Sequence, residues 1–206
     1  MMKIAVSGEK GSFSHQAAQL YATAHSLSDI DIIFCGDSAG AFSALSNKEA
    51  DKIIIPIYNS TGGFVNMTLQ AMGEFLFQIE EMFEMNVLQC LLIDKNINAD
   101  QIEQIASHPQ ALKQCKDYLQ ENWSGRELLE YQDTAKAAKD LASGKLDNTT
   151  AVIAPELAAE IYGLKVLEES IQDLKFNATT FLVVASPGGE KQSEEIKQEK
   201  LKEELE

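Results

Sequence analysis

Short apolar runs that alternate with helical patterns constrain this 206-residue chain more than any other feature. The first three runs lie at 3–7, 30–35 and 52–57, and helical patterns at 13–25 and 41–48 separate them. Strands joined by helices usually pair in parallel through right-handed crossovers. The sequence therefore predicts an α/β fold whose first sheet contains these three strands.

A second unit of the same kind follows the first. Its strand and helix patterns fall at 75–82, 86–93, 105–107, 109–121, 126–131, 134–143, 151–154 and 156–162. A late apolar run at 180–185 predicts a further strand, and its expected partner is the first sheet. The first lobe would then be discontinuous in sequence.

The expected architecture is two α/β lobes with a ligand-binding cleft between them. The first lobe comprises 1–78 with 168–186, and the second comprises 79–167. After the breaker cluster Ser186–Gly189, the segment 187–206 is highly charged, and we expect a solvated helical or disordered tail.

The charge balance restricts the partners of this chain. Lysine and arginine total 17 against 32 acidic residues, a formal net charge of −15, and Arg126 is the only arginine. Such a chain repels phosphate backbones and anionic lipid, so we expect neither a nucleic acid nor a membrane partner. An anionic ligand would have to be held by backbone N–H groups, hydroxyls or lysine.

Targeting, redox and metal signals point to a cytoplasmic protein. The N-terminus lacks the long apolar region of a signal peptide, and no apolar run approaches a membrane span. The three cysteines are widely spaced and the three histidines lack metal-ligand spacing. We expect buried free thiols, no metal site and no cofactor.

A G-x-S-x-G segment at Gly36–Gly40 lies between a predicted strand and a predicted helix. This context suits a hydrolase nucleophile elbow, with Ser38 as the nucleophile and His108 as the available base. Alternatively, Asp37 or Ser38 simply caps the following helix.

Three polar turns precede predicted helices, at 8–12, 60–63 and 107–110. Ordinary helix capping accounts for each of them taken alone. Because free N–H groups at helix N-termini attract anions, the three turns together predict a cradle for an anionic small molecule in the cleft.

Several segments resemble the prephenate dehydratase family. The stretch at 55–69, I-P-I-Y-N-S-T-G-G-F-V-N-M-T-L, is similar to the family's P-I-E-N-S-x-x-G-x-V-N-x-T-L signature. Further similarities, in chain order, lie at 11–14, 107–115, 133–138, 158–163 and 177–181. The last of these, N-A-T-T-F, occupies the place of the family's N-x-T-R-F, and the resemblance covers about 3–185.

The resemblance implies a two-lobed α/β fold, similar to the type 2 periplasmic-binding-protein-like fold, with the active site in the interlobe cleft. It implies conversion of prephenate to phenylpyruvate, water and carbon dioxide, a step of phenylalanine biosynthesis, without a cofactor. It implies that Thr179 is the catalytic proton donor. The substrate-binding residues that it implies are Ser12, Asn59, Ser60, Thr61, Ser107, His108, Gln110, Ala111, Thr180 and Phe181.

The resemblance also implies a homo-oligomer, a dimer or a tetramer. The family's C-terminal ACT regulatory domain is expected to be absent, because only the charged segment follows Ala185.

Four features depart from the family's pattern. Thr180 replaces the arginine of T-R-F, and Tyr58 replaces a glutamate. Gly62 or Gly63 replaces a later glutamate of the loop, and the usually small residue near Phe64 is aromatic here. These departures keep two alternatives open. One is a prephenate decarboxylase that does not aromatise the ring, and the other is a non-catalytic module that binds small molecules.

Overall fold

Two β-sheets carry the fold over residues 1–187, the part of the chain that the computed structural model describes. In chain order the strands are β1 (Met2–Val6), β2 (Ile30–Phe34), β3 (Lys52–Asn59), β4 (Gly63–Phe64), β5 (Gln78–Asn86), β6 (Cys90–Ile93), β7 (Gln104–Ser107), β8 (Glu127–Glu130), β9 (Thr150–Ala154), β10 (Lys165–Glu168) and β11 (Ala178–Ala185). The α-helices are α1 (Phe13–Ala24), α2 (Ser38–Ser46), α3 (Asn66–Met72), α4 (Pro109–Gln114), α5 (Lys116–Asn122), α6 (Thr134–Ala142) and α7 (Glu156–Tyr162). A 3₁₀ turn forms at Ala99–Gln101.

The first sheet has the order β2-β1-β3-β11-β5, with β4 paired to β3. The strand β1 is parallel to both β2 and β3, as the strand–helix alternation predicts. The strand β11 is antiparallel to β3 and β5, which confirms that the late apolar run returns to the first sheet.

Helices pack against both faces of this sheet at its central strands. Successive side chains of a strand point to opposite faces, so each face has its own cluster. Ile53 and Ile55 pack in one cluster with Phe42 and other side chains of α2. Ile54 lies on the other face, in a cluster with Tyr21 of α1. This explains why the central strand is a continuous β-branched run rather than an alternating one.

The second sheet has the order β10-β6-β9-β7-β8. The strand β7 is parallel to β8 and β9, while β6 is antiparallel to β9 and β10. Leu91 and Ile153 pack on the face covered by α4 and α5, and Leu92 and Val152 pack on the face covered by α6 and α7. The two-lobed α/β class expected from the sequence is therefore confirmed.

The chain passes from the first sheet to the second between Asn86 and Cys90, and it returns between Glu168 and Ala178. The lobe ranges 1–78 with 168–186 and 79–167 stay a prediction. The pairing of all of β5 with β11 favours a first crossing after Asn86 rather than at 78.

The predicted patterns do not include β4 or β10, and they place at 75–82 the strand that the structure has at Gln78–Asn86. Two further differences have an identifiable cause. The third strand, expected at 52–57, continues to Asn59, because a register shift opposite β11 accommodates Pro56 beyond the residues paired with β1. The expected single helix at 109–121 is divided at Cys115, where the Asp173 carboxylate accepts the Asp117 and Tyr118 N–H groups of α5. A contact distant in sequence thus starts a second helix.

Most of the charged tail predicted for 187–206 lies outside the described residues. Within residues 1–187, no helix is both long and apolar enough to cross a membrane.

A buried pair of hydroxyls links α2 and α3 to β3. The Thr68 hydroxyl, 0% exposed, donates to the Pro56 carbonyl at 2.7 Å, so the Ser38 hydroxyl donates to Thr68 at 2.7 Å. We expect Thr68→Val to lower the free energy of unfolding by about 1–3 kcal/mol, because it leaves two buried polar groups unpaired. Denaturant unfolding measures this loss.

The control is Thr23→Val, the same substitution on the exposed side of α1, where the hydroxyl donates to Gln19 O. It should change the free energy of unfolding by no more than about 0.5 kcal/mol. Equal losses in the two variants would show that the buried pair does not stabilise this junction.

Candidate active site between the lobes

A cleft of about 350 Å³ lies between the two sheets. The lining residues from the first lobe include Ser7, Gly8, Ser12, Ser14, Asp37, Ser38, Asn59, Met67, Thr179 and Phe181. Those from the second lobe and the crossing segment include Gln89, His108, Gln110, Ala111, Gln114, Gln132, Asp133 and Thr134. No lysine or arginine occurs among the lining residues of the described chain.

Four helices begin at this cleft, because each follows the carboxyl end of a strand. Their N-caps are Ser12, Asp37, His108 and Asp133, and all four side chains accept a backbone N–H of the first turn. The remaining first-turn N–H groups have no partner within the helix, and the helix dipole places partial positive charge there. The cleft therefore offers neutral donors to an anion.

A closed ring of side-chain hydrogen bonds joins the two lobes beside the cleft. The Asn59 amide donates to Asn177 Oδ1 at 2.9 Å, and the Asn177 amide donates to Gln114 Oε1 at 3.1 Å. The Gln114 amide donates to Thr61 Oγ1 at 2.6 Å, and the Thr61 hydroxyl donates back to Asn59 Oδ1 at 2.7 Å. We call these four residues the amide ring. Each member both donates and accepts, so its polar groups are satisfied between the lobes.

The peptide backbone fixes which atoms of the amide ring donate hydrogen bonds and which accept them. The N–H groups of Thr61 and Gly62 donate to Asn59 Oδ1 at 3.0 and 2.8 Å, so the Asn59 nitrogen is the donor to the rest of the ring. The orientation of a side-chain amide is assigned from such partners. Each following amide therefore takes its orientation from the one before it.

The amide ring also orients Thr179. Asn59 Nδ2 donates to Thr179 Oγ1 at 2.9 Å, so the threonine oxygen accepts and its own proton is directed elsewhere. Thr179 is 7% exposed and lines the cleft, and no group in residues 1–187 accepts its hydroxyl proton. This hydroxyl is available to donate to a ligand.

Further contacts hold the lobes together at the other side of the cleft. The Tyr162 hydroxyl of α7 donates to Lys10 O at 2.6 Å, and Lys139 of α6 pairs with Glu9 at 3.0 Å. A Cβ on Gly11, where φ is +89°, would lie 3.2 Å from the Ala158 backbone. The glycine lets the turn before α1 approach α7 closely.

The structure brings seven of the expected site residues to the cleft wall. They are Ser12, Asn59, His108, Gln110, Ala111, Thr179 and Phe181. Their elements belong to both lobes, so the residues converge only because the two sheets face each other across the cleft.

Four expected site residues do not line the cleft. Ser107 is fully buried, and its hydroxyl donates to Ile153 O at 2.6 Å within the second sheet. The Ser60 hydroxyl accepts the Ala178 N–H, and Thr61 belongs to the amide ring. Thr180 follows Thr179 on β11 and so faces the opposite side, where its hydroxyl donates to Glu84 at 3.5 Å.

The sequence-based expectation missed several cleft residues. Gln114 and Asp133 lie inside the segments that resemble the family, yet they were not singled out as site residues, and the same holds for Asn177 of the amide ring. Gln89 lies on the crossing between β5 and β6, and a lone glutamine beside an apolar run carries no local signal.

Ser38 is not arranged as a hydrolase nucleophile. Its hydroxyl donates to Thr68, and the Asp37 carboxylate caps α2 by accepting the Gly40 N–H at 2.8 Å. The G-x-S-x-G segment is thus a capped strand-to-helix turn.

Two carboxyl groups, those of Asp37 and Asp133, line the cleft. Burial raises the pKa of the Asp133 carboxyl, although the N–H groups of Lys136 and Ala135 oppose this shift. Burial also lowers the pKa of His15, and Lys10 adds to that effect. Both shifts disfavour the charged form of the side chain concerned.

The fold and the site define a two-lobed α/β protein with a polar cleft between its lobes. The family model described as prephenate dehydratase matches residues 4–188, and the chain belongs to this family.

Two relatives illustrate the similarity. The chain is 33% identical over 184 residues to "Arogenate dehydratase/prephenate dehydratase 2, chloroplastic" of Arabidopsis thaliana, covering 89% of this chain and 46% of the relative. It is 33% identical over 185 residues to a bifunctional chorismate mutase/prephenate dehydratase of Neisseria gonorrhoeae, covering 89% and 49%. The chain spans about half the length of these curated relatives.

A solved prephenate dehydratase from Arthrobacter aurescens, in complex with L-Phe, has the same architecture. It superposes with a TM-score of 0.80 at 26% identity, covering 91% of this chain and 61% of that one.

Asp133→Asn tests the electrostatics of the cleft, because asparagine keeps the cap of α6 and removes the charge. A carboxyl whose pKa is raised in the folded state destabilises the fold at pH values above that pKa and has no such effect when protonated in both states. We expect the variant to melt at a higher temperature than the wild type near neutral pH. The difference should shrink as the pH falls below the pKa of an ordinary aspartate.

Thermal melts of both proteins across this pH range measure the effect. A variant that is less stable than the wild type at neutral pH would contradict the assignment.

Proposed function

We propose that this chain catalyses the conversion of prephenate to phenylpyruvate, water and carbon dioxide. The observation that carries the proposal is the direction of the hydrogen bond from Asn59 to Thr179, which leaves the threonine proton free for a ligand in the cleft. The family assignment and the relatives' descriptions support the same reaction.

The proposed step needs one proton donor and no strong base. The Thr179 hydroxyl donates its proton to the ring hydroxyl as the C–O bond breaks, and water departs. The bond to the ring carboxylate breaks in the same process, its electron pair completes the aromatic ring, and carbon dioxide leaves. Solvent then returns a proton to the Thr179 oxygen.

The substrate is a dicarboxylate, and the helix starts account for its binding without arginine. The first-turn N–H groups of α1, α2 and α6 and the hydroxyls of Ser12 and Thr134 face the cleft. Such preorganised donors bind carboxylates, and they leave the chain's single arginine, Arg126, without a part in the site.

Two alternatives are distinguished by the products. A decarboxylase would give a non-aromatic product, and a binding module would bind prephenate without turnover. The decarboxylase hypothesis depended on Thr180 and Phe64, and neither lines the cleft, so we favour the dehydratase. Nuclear magnetic resonance of the products formed from prephenate separates the three outcomes.

Homo-oligomerisation stays a prediction.

Thr179→Val should reduce phenylpyruvate formation by about 10²- to 10⁴-fold, the usual contribution of a general acid. Thr179→Ser keeps the hydroxyl and should retain most of the activity. Turnover numbers with purified proteins and prephenate measure both effects, with melting temperatures as a check on folding. Full turnover by Thr179→Val would rule out this residue as the proton donor.

Thr180→Arg restores the residue that the family carries in T-R-F. Because position 180 faces Glu84 on the partly exposed side of β11, we expect the new guanidinium to form a surface ion pair worth about 0–1 kcal/mol. Dehydration should therefore change by less than about fivefold. A larger gain, measured as kcat/KM for prephenate, would show that the guanidinium reaches the substrate.

A further inference from the structure

Gln89 carries an unpaired acceptor at the wall of the cleft. The residue is 3% exposed and lines the cleft wall. Its Oε1 is the one buried side-chain nitrogen or oxygen within residues 1–187 that has no hydrogen-bond partner in the protein. A buried acceptor without a partner costs about 1–3 kcal/mol, so this atom needs a donor from outside the protein.

The amide ring determines which end of the Gln89 side-chain amide is left unpaired. Gln114 Oε1 already accepts from Asn177, so it can only accept from Gln89, whose Nε2 donates to it at 3.0 Å. Exchanging the two ends of the Gln89 amide would place two carbonyl oxygens against each other. The orientation of Gln89 therefore follows, bond by bond, from the backbone N–H groups that hold Asn59.

The backbone of Gln89 is held as well. Its N–H donates to Gln172 Oε1 at 2.9 Å, and its carbonyl accepts the Ile171 N–H at 2.9 Å. Both partners lie on the segment between β10 and β11. The side chain is thus fixed at both ends, and its unpaired oxygen stays in place.

We infer that Gln89 Oε1 accepts a hydrogen bond from the ring hydroxyl that leaves the substrate. The inference rests on the proposed function, because the two carboxylates of prephenate are ionised and carry no proton to donate. The ring hydroxyl is the substrate's donor, and it is also the group that Thr179 protonates. Gln89 and Thr179 are both hydrogen-bonded to members of the amide ring.

This contact gives Gln89 a role in the reaction. A hydroxyl that donates to Gln89 turns a lone pair away from it and towards the proton of Thr179. When the C–O bond breaks, the departing water still donates to the same oxygen. Gln89 therefore orients the leaving group, and Thr179 protonates it.

Gln89→Met removes the acceptor at similar side-chain volume, and Gln104→Met is the matched control. Gln104 lies at the start of β7, where its amide donates to Thr150 at 2.7 Å away from the cleft. We expect Gln89→Met to lower kcat/KM for prephenate by about 5- to 150-fold. Inhibition by phenylpyruvate, which has no ring hydroxyl, should change by less than about twofold in the same variant.

Gln89→Glu provides a second measurement. A protonated glutamic acid donates to Gln114 and still presents a carbonyl oxygen to the cleft, whereas the ionised form repels Gln114 Oε1. Its kcat/KM relative to the wild type should rise as the pH falls, once the rate without enzyme is subtracted at each pH. A merely structural role would not produce this pH profile together with selective loss for the hydroxyl-bearing ligand.

The two proposals fail in different ways. If the wild type forms no phenylpyruvate, the proposed function is wrong, and the thermal shift given by prephenate replaces kcat/KM as the readout. Selective loss of the prephenate effect in Gln89→Met then still supports the contact. The inference is overturned if Gln89→Met behaves as Gln104→Met does, if prephenate and phenylpyruvate lose equally, or if the wild type does not bind prephenate.

Discussion

The amide ring is the interaction on which the rest of the site depends. Its members come from the end of β3 and the turn after it, from α4 in the second lobe and from the segment before β11, so the ring closes only when both lobes are folded and in contact. A buried polar network of this kind stabilises one arrangement when it is fully satisfied and penalises others. The backbone N–H groups of Thr61 and Gly62 set the donor-to-acceptor direction of its hydrogen bonds. This direction determines that Thr179 accepts from Asn59 and that Gln89 donates to Gln114. A local turn thus determines which atoms donate to a ligand and which accept from it.

The net charge of the whole chain does not describe the groups that line the cleft. A net charge of −15 with one arginine argues against nucleic acid and anionic membranes as partners. In the cleft, however, helix N-termini and hydroxyls provide the donors, and burial disfavours ionisation of Asp133. The cleft therefore offers hydrogen-bond donors to an anion without a lysine or arginine among its described lining residues, inside a protein that is strongly acidic.

Local patterns predicted the elements well and the side-chain roles unevenly. The alternation of strands and helices predicted the parallel pairing of β1 with β2 and β3, because periodicity depends on which face of each element is buried. Thr179 and Thr180 are neighbours in sequence, yet one lines the cleft and the other faces Glu84, because successive residues on a strand alternate. Ser107 belongs to a segment that resembles the family, but its hydroxyl is used inside the second sheet. Motif membership does not say in which direction a side chain points.

The sequence by itself determined the α/β class, the return of the last strand to the first sheet and the resemblance to the prephenate dehydratase family. The periodicity of each element and the motifs of the family are local patterns of residues, so they can be recognised without the tertiary structure. Only the tertiary structure decided the closure of the amide ring across the lobes, the division of α4 from α5 by Asp173, and the unpaired acceptor of Gln89. These features depend on contacts between residues that are 25–120 positions apart, as between Gln89 and Gln114 and between Asn59 and Thr179. Such contacts leave no periodicity in the sequence, because they arise only when the packed lobes bring distant polar groups within hydrogen-bond distance.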